Sequence, residues 1–240
     1  MEPGLTEDAL LGGRVRLLQP ARGYRVAVDA VLLAAAVAAR PGERVLDLGA
    51  GVGSVGLCLA TRVPGCQVTG IELQPELAAL AERNVGLNGL AERVRIVVHD
   101  IALPLPPLAP FDHVATNPPY LAAAVADPSP IPSKALATVE SSADLARWIA
   151  VATAAAHPAG SVLMIHRRDR LDEAVGLLHR RGWGEITIKA LPPAPRVLIR
   201  AKRSIELRRQ EAEPFVLHPP AGGYTPAAED VLRHAAPLAF

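Results

Sequence analysis

Short apolar runs alternate with helical patterns along this chain, and that alternation restricts the fold more than any other feature. The apolar runs predict strands at residues 44–48, 67–71, 94–98, 112–116, 161–166, 185–189 and 197–201. Helices are predicted at 28–40, 54–62, 75–87, 141–157, 169–180 and 226–234. Such alternation is typical of a parallel sheet covered on both faces, and the short connection between the last two strands makes one of them antiparallel. The sequence therefore predicts an α/β fold with a seven-stranded, mostly parallel sheet.

The composition indicates one large globular domain. The 240 residues are 50% hydrophobic and 20% charged, which is enough apolar material for a sizeable core. We predict a domain over residues 1–203, in which 13–40 form an N-terminal segment and helix that close over substrate or cofactor. Residues 204–240 are predicted to be a tail that packs on this domain. The net charge of +1 excludes a chain that is basic over its whole surface.

Cysteine spacing and the N-terminus bear on metal binding and location. Cys58 and Cys66 form no CxxC pair, and no His or Cys cluster has metal-ligand spacing, so we predict two buried thiols and no metal. Residues 1–8 are acidic and lack the basic start and apolar run of a signal peptide. The apolar stretch 27–39 contains Asp29 and is too short to span a bilayer. We expect a cytoplasmic protein with no membrane partner.

A glycine-rich turn follows the first predicted strand, in the run Asp47-Leu48-Gly49-Ala50-Gly51-Val52-Gly53. Glycines allow a ligand to approach the backbone closely. Glu72 ends the next strand, where a carboxylate is placed to bind ribose hydroxyls. Asp100, at the end of the third strand, is a candidate acceptor for an adenine amine, with a strand-end cap as the alternative. The pattern predicts a nucleoside cofactor, and a G-x-G-x-x-G match leaves a dinucleotide open.

The run Asn117-Pro118-Pro119-Tyr120 follows the fourth strand. The Asn side-chain oxygen and the Pro118 carbonyl both accept hydrogen bonds from an NH₂ group. The prolines stiffen the loop, and the Tyr120 ring offers a stacking face. The four residues are therefore candidates for the catalytic site, as a clamp for a planar amine. A simple strand-ending turn, with Tyr120 as a core aromatic, is the alternative.

With these motifs the chain resembles the class I S-adenosylmethionine-dependent methyltransferases over roughly residues 14–203. Within that class it is most similar to the bacterial tRNA(Val) adenine-N6 methyltransferase group, through residues 14–36 and 164–171. The resemblance implies a single Rossmann-like domain whose last strand is antiparallel, with S-adenosylmethionine as cofactor and tRNA as partner. It also implies a set of cofactor-binding residues: Asp29, Asp47, Gly49, Ala50, Gly51, Gly53, Glu72, Leu73, Asp100, Ile101 and Asn117.

The function implied is methyl transfer to an exocyclic amine, adenine N6 in tRNA in the first instance. A protein glutamine amide is the alternative acceptor with the same geometry, and a dinucleotide-dependent oxidoreductase is the alternative from another class. The chain departs from the group at residues 137–140, where Ala-Thr-Val-Glu replaces an expected Arg-His before the Glu. The proline-containing loop at 121–138 is long enough to be functional.

Basic residues are frequent near the N-terminus and late in the chain, where they suggest a phosphate-binding surface or an ordinary solvated face. They are Arg14, Arg16, Arg22, Arg25, Arg167, Arg168, Arg170, Arg180, Arg181, Arg196, Arg200, Lys202, Arg203, Arg208 and Arg209.

Overall fold

The structure is a computed structural model that describes residues 4–22, 25–108, 110–120, 143–220 and 222–240. The strands of this part are β1 (Leu5–Leu10), β2 (Val15–Pro20), β3 (Arg44–Leu48), β4 (Gln67–Glu72), β5 (Val94–Val98), β6 (Phe111–Thr116), β7 (Ala156–Arg167), β8 (Trp183–Ala190), β9 (Arg196–Arg203) and β10 (Arg208–Ala212). Its α-helices are α1 (Val28–Ala36), α2 (Ser54–Arg62), α3 (Pro75–Leu87), α4 (Leu145–Ala155), α5 (Leu171–His179) and α6 (Pro226–His234).

Eight of the described strands form one twisted sheet in the order β10-β8-β9-β7-β6-β3-β4-β5. Only β9 runs against its neighbours, pairing antiparallel with both β7 and β8, while the other pairs of this sheet are parallel. The prediction of an α/β fold with a mostly parallel sheet and an antiparallel last core strand is confirmed. The strand count was wrong by one, because β10 extends the sheet beyond β8.

Helices cover both faces of the sheet. One apolar cluster joins β3 to the buried sides of α1, α2, α3 and α6, and the other packs α4 and α5 on the opposite face. The apolar composition of α1 fits this place, because all of its residues after Val28 are buried, including Asp29. Residues 204–240 contribute β10 and α6 to this architecture, and α6 has the predicted bounds. The predicted division at residue 203 stays a prediction.

Several helix ends differ from the sequence-based prediction. Helix α1 ends at Ala36 rather than Arg40, because Arg62 donates to the Ala34 carbonyl and the Leu238 N–H donates to the Ala35 carbonyl. These bonds satisfy carbonyls that a further helical turn would use. Helix α4 ends at Ala155, and α5 begins at Leu171 after a short 3₁₀ turn.

The start of α4 is also corrected. Its N-cap is Asp144, whose Oδ1 accepts a hydrogen bond of 2.8 Å from the Arg147 N–H. Residues 141 and 142, where this helix was predicted to begin, lie outside the described residues, as do the loop 121–138 and the departure at 137–140. Within the described part of the chain, no helix is long and apolar enough to cross a membrane.

An antiparallel hairpin of β1 and β2 precedes α1 and was not predicted. Two carboxamides, one in α3 and one at its C-cap, bind the backbone of β2. Asn88 accepts from the Arg16 N–H (2.8 Å) and donates to the Arg16 carbonyl (2.7 Å). Asn84 makes the same pair of bonds with Leu18, at 2.7 and 2.9 Å. The hairpin is thereby attached to the helix that follows the second strand of the main sheet.

Candidate active site

Two loops with site chemistry begin side by side at the carboxyl ends of β3 and β6. These strands are adjacent and parallel, with Leu48 paired to Thr116, and the Thr116 hydroxyl donates to the Leu48 carbonyl at 2.9 Å. Gly49 and Asn117 are therefore the first residues beyond the sheet on neighbouring strands. The chain runs from β3 to β4 on one side, and β6 lies on the other side of β3. Ligands of open α/β sheets bind in the crevice at such a switch in strand order.

The glycine turn is held by the end of β4. The N–H groups of Gly49 and Ala50 both donate to the Ile71 carbonyl at 2.9 Å, and the Gly51 N–H donates to Glu72 Oε2 at 2.7 Å. Gly49, Gly51 and Gly53 have φ values of 84°, 56° and 87°. This is the left-handed region, which residues with a Cβ adopt only at a cost. The turn brings five of the predicted cofactor residues next to the start of α2.

The Glu72 carboxylate lies against this turn and fits the predicted ribose-binding role. Its Oε1 accepts from the Gln74 N–H at 2.9 Å while Oε2 accepts from Gly51. A carboxylate has about four acceptor positions, so both oxygens keep capacity for hydroxyl donors. Burial raises the Glu72 pKa, and the N–H groups of Gln74 and Gly51 oppose that rise. The Glu72 oxygens can accept hydrogen bonds from hydroxyl groups, and the glycine backbone lies beside them. Together they suit the sugar of a nucleoside cofactor.

Asp47 has a different place from Glu72. It is buried, and its Oδ2 accepts from the Gly56 N–H at 3.2 Å, so it holds the first turn of α2. Burial raises its pKa to about 7, and the nearby Glu72 carboxylate adds to the rise. This bond attaches the end of β3 to the start of α2, and the cofactor-binding role of Asp47 stays a prediction.

The remaining predicted cofactor residues lie in the turns after β4 and β5. Leu73 is partly exposed directly after Glu72, and Ile101 is buried. Asp100 is half-buried and accepts from the Ala102 N–H at 2.8 Å, which is the turn-capping bond that the alternative interpretation expected. Arg147 of α4 donates from Nε to the Ile101 carbonyl at 2.6 Å and attaches this turn to the helix. The adenine-binding role of Asp100 stays a prediction.

The amine clamp is assembled around Tyr120. Pro118 and Pro119 are buried, while Asn117 and Tyr120 are half-buried. The Tyr120 hydroxyl lies 2.6 Å from Asn117 Oδ1 and 2.9 Å from Asp29 Oδ2. The structure therefore joins Asp29, a predicted cofactor residue, to the predicted catalytic loop through one hydroxyl group.

Comparison with known proteins indicates the enzyme class of the chain. Residues 25–133 match the family model described as methyltransferase small domain. A solved structure described as a predicted O-methyltransferase from Agrobacterium tumefaciens superimposes with a TM-score of 0.72 and 26% identity, covering 88% of this chain and 98% of that one. The chain is an S-adenosylmethionine-dependent methyltransferase.

Relatives of known name are similar over different spans. The methyltransferase is 29% identical over 207 residues to the Aeromonas hydrophila protein named tRNA1(Val) (adenine(37)-N6)-methyltransferase, covering 84% of this chain and 85% of the relative. It is 41% identical over 106 residues to a Yersinia pestis protein of the same name, but there it spans only 42% of the relative. A geranyl diphosphate methyltransferase solved with S-adenosylmethionine shares the fold, at a TM-score of 0.56 and 16% identity. S-adenosylmethionine is the cofactor of the methyltransferase.

Three further residues border the site of the methyltransferase and were not assigned to it from the sequence. Arg196, at the start of β9, donates from Nη1 to Asp29 Oδ1 at 2.8 Å. His166, at the end of β7, meets the Tyr120 ring edge-on with a centroid distance of 5.6 Å. Trp148 of α4 packs against Gly49. In the sequence Arg196 is one of many basic residues and Trp148 belongs to no motif, and both reach the site only because distant segments of the chain pack together.

Many of the basic residues form ion pairs with acidic neighbours, which is typical of a solvated face. In the described part of the chain, such pairs within 4 Å are Arg16–Glu7, Arg25–Asp8, Arg167–Asp169, Arg170–Glu173, Arg196–Asp29, Lys202–Glu185, Arg208–Glu206, Arg209–Asp172 and Arg209–Glu211. A polyanion would have to compete with these carboxylates. Cys58 and Cys66 are buried free thiols, as predicted, and no group of three or more metal-binding side chains occurs in the described ranges.

Gly49→Ala is expected to destabilise the methyltransferase and to remove most cofactor binding. A Cβ at this position would lie 2.6 Å from Cη2 of Trp148, and the φ of 84° is strained for alanine. We expect a loss of about 2 kcal/mol or more in unfolding free energy. Gly86→Ala is the control, because a Cβ added there would have no atom within 4 Å and α3 gains a better helix former. Urea unfolding and cofactor titration test both, and equal behaviour of the two variants would contradict the close packing at Gly49.

Two buried groups should give opposite pH dependences of stability. The Asp47 pKa rises from 3.8 to about 7, so its contribution to stability falls as pH rises through that interval. Burial, with Arg170 adding to the effect, lowers the His166 pKa from 6.5 to about 4, so its contribution is lost as pH falls through that interval. As the pH rises from 4.5 to 6.5, the unfolding free energy of Asp47→Asn should increase relative to that of wild type. That of His166→Phe should decrease relative to wild type, and each change should be on the order of 2 kcal/mol. Denaturant unfolding at the two pH values measures this, and parallel profiles for all three proteins would refute it.

Proposed function

We propose that this methyltransferase transfers a methyl group to the exocyclic N6 amine of an adenine in tRNA. The observation that carries the proposal is the position of Asn117 Oδ1, one residue beyond β6 and next to the glycine turn on β3. The name of the Aeromonas relative supports adenine N6 of a tRNA as the acceptor. A tRNA acceptor also agrees with the expected cytoplasmic location.

The clamp suits an amine that carries two hydrogens. Bound S-adenosylmethionine supplies a methyl group on a sulfonium, which is already a strong electrophile. Asn117 Oδ1 and the Pro118 carbonyl each accept a hydrogen bond from one N–H of the substrate amine. Together they direct the nitrogen lone pair at the methyl carbon. Because the exocyclic amine becomes more positive on attack, both oxygens bind it more strongly in the transition state. As the new N–C bond forms, the bond from the methyl carbon to sulfur would break, and the nitrogen would then lose one proton to solvent. Asn117 and Pro118 thereby stabilise the transition state with little acid–base chemistry.

Other predicted residues have supporting roles in the proposal. An adenine inside folded RNA must leave its stack to reach Asn117, and we propose that Tyr120 stacks on the extruded base. The cofactor contacts proposed are those predicted from the sequence, with Glu72 on the ribose, Asp100 toward the adenine and Asp29 toward the methionine end. Residues 13–40, which include β2 and α1, are proposed to close over the site.

A transfer assay tests the proposal directly. The protein is incubated with isotope-labelled S-adenosylmethionine and tRNA from cells that lack this gene, and the digested nucleosides are resolved by mass spectrometry. We expect label in N6-methyladenosine. The parallel arms contain translation release factors, whose glutamine amides also present a planar NH₂, and unmodified duplex DNA. Label in glutamine or in DNA, with none in tRNA, would overturn adenine in tRNA as the acceptor.

The same assay addresses hydroxyl acceptors, which the description of the Agrobacterium structure raises. A hydroxyl group has one hydrogen and becomes a good nucleophile only when a base removes it. The two carbonyl-type acceptors of Asn117 and Pro118 match an NH₂ group better. Label in a 2′-O-methyl nucleoside would contradict this assignment.

A further inference from the structure

The Tyr120 hydroxyl stands where the proposed acceptor amine has to donate. It is 2.6 Å from Asn117 Oδ1, the oxygen assigned to the substrate N–H. Asp29 Oδ2 lies 2.9 Å from the same hydroxyl. A phenol carries one proton, so at any moment it donates to one of these two oxygens. When the hydroxyl donates to Asn117 Oδ1, that oxygen is not available to the N–H of the substrate amine.

Arg196 keeps the second acceptor in place. The Asp29 side chain is only 6% exposed, and Arg196 Nη1 holds its Oδ1 at 2.8 Å, which leaves Oδ2 directed at Tyr120. Because Arg196 occupies Oδ1, the Oδ2 oxygen of Asp29 is held where it can accept a hydrogen bond from the phenol, and the ion pair offsets the cost of burying the carboxylate. The guanidinium carbon of Arg196 lies 5.7 Å from the centre of the Tyr120 ring, so Arg196 contacts both Asp29 and Tyr120.

We propose that Asp29 and Arg196 are positioning residues that clear Asn117 for the acceptor. In the free enzyme the Tyr120 hydroxyl donates to Asn117 Oδ1, and on acceptor binding it donates to Asp29 Oδ2 while the substrate N–H takes its place. The change needs only a rotation of the hydroxyl hydrogen and a small separation of the two side chains. This inference rests on the proposed transfer to an amine, and it adds that Arg196 acts on the acceptor side of the reaction.

Loss of Arg196 should therefore appear in the acceptor KM. Without the Arg196 bond to Oδ1, the Oδ2 oxygen of Asp29 is no longer held toward Tyr120, so the hydroxyl stays on Asn117 and the fraction of enzyme able to bind the amine falls. At saturating cofactor we expect Arg196→Gln to raise the KM for tRNA about tenfold with a small change in kcat. Arg196→Lys, which keeps one cationic donor, should recover part of the loss.

A double-mutant cycle with Tyr120→Phe decides whether Arg196 acts through the hydroxyl. In the Phe background there is no hydroxyl on Asn117, so adding Arg196→Gln should change the acceptor KM by less than about twofold. An equal rise in both backgrounds would overturn the proposal. Arg233→Gln is the control, because Arg233 is an exposed arginine of α6 that pairs with Glu229 on the same helix, and we expect no change in KM. Thermal unfolding of each variant identifies losses that come from misfolding alone.

A second measurement needs no methyl transfer. The wild type and the two glutamine variants are labelled with ¹³C at the tyrosine Cζ, and the Tyr120 signal is identified by its loss in Tyr120→Phe. We expect Arg196→Gln to shift the Tyr120 signal and Arg233→Gln to leave it in place. An unmoved Tyr120 signal would refute the coupling between Arg196 and the Tyr120 hydroxyl, whatever the acceptor proves to be. If the enzyme methylates tRNA but the effects of Arg196→Gln and Tyr120→Phe on KM are additive, the coupling is refuted while the proposed function stands.

Discussion

Asn117→Ala is expected to lower kcat for methyl transfer by at least about 100-fold, on the scale measured for loss of one transition-state hydrogen-bonding group. The side-chain oxygen binds the amine most strongly as positive charge develops, so its removal affects the transition state more than the ground state. Asn117 is also a predicted cofactor residue, but the affinity for S-adenosylhomocysteine should fall far less than kcat, because the glycine turn keeps its hydrogen bonds to Ile71 and Glu72. Single-turnover kinetics and calorimetric titration measure the two quantities.

Two companions make this result specific. Asn117→Asp keeps an acceptor oxygen and should retain more activity than the alanine variant. Gln210→Ala removes a carboxamide from exposed β10, far along the sheet from β6, and should behave as wild type. If Asn117→Ala transferred methyl groups at the wild-type rate, the clamp would not be the acceptor site.

Glu72→Ala is expected to weaken binding of S-adenosylhomocysteine by about 100-fold, since hydrogen bonds to a charged group contribute about 1.5–3 kcal/mol each. The variant would lose the two oxygens proposed for the ribose. It would also leave the Gly51 and Gln74 N–H groups without their carboxylate partner, which loosens the turn itself. Calorimetry gives the affinity, and thermal unfolding gives the part that is due to the turn.

Glu72→Gln separates the two contributions. It keeps one acceptor oxygen at the turn but replaces the other with a donor, so we expect near-normal stability with cofactor binding still well below wild type. Glu82→Ala, at an exposed position of α3, should leave both quantities unchanged. Wild-type affinity in Glu72→Ala would remove Glu72 from the proposed ribose site.

Elements with strong apolar patterns were predictable from the sequence. Strands β3 and β5 and helices α2, α3 and α6 have the predicted bounds, because their periodicity and their glycine or proline boundaries are local signals. Strand β10 has the sequence Arg-Arg-Gln-Glu-Ala and is mostly exposed, so it has no apolar pattern from which it could be predicted. The hairpin was missed for a related reason, since β1 alternates acidic and apolar residues only weakly.

The candidate site divides in the same way. Gly51 and Glu72 could be related through their spacing, because consecutive parallel strands end at one edge of a sheet, and the structure joins them by a hydrogen bond. The contact of Arg196 with Asp29 spans 167 positions of sequence and depends on how β9 inserts between β7 and β8. Nor did the sequence indicate that Tyr120 turns its hydroxyl toward Asn117.

The paired carboxamides of Asn84 and Asn88 have a consequence for self-association. They stand one helical turn apart and bind alternate residues of β2, Leu18 and Arg16, much as a neighbouring strand would. Without them, this side of a two-stranded sheet would offer free N–H and C=O groups to the edge of another molecule. The helix therefore covers the β2 edge of the hairpin, and it prevents that edge from pairing with a strand of another molecule.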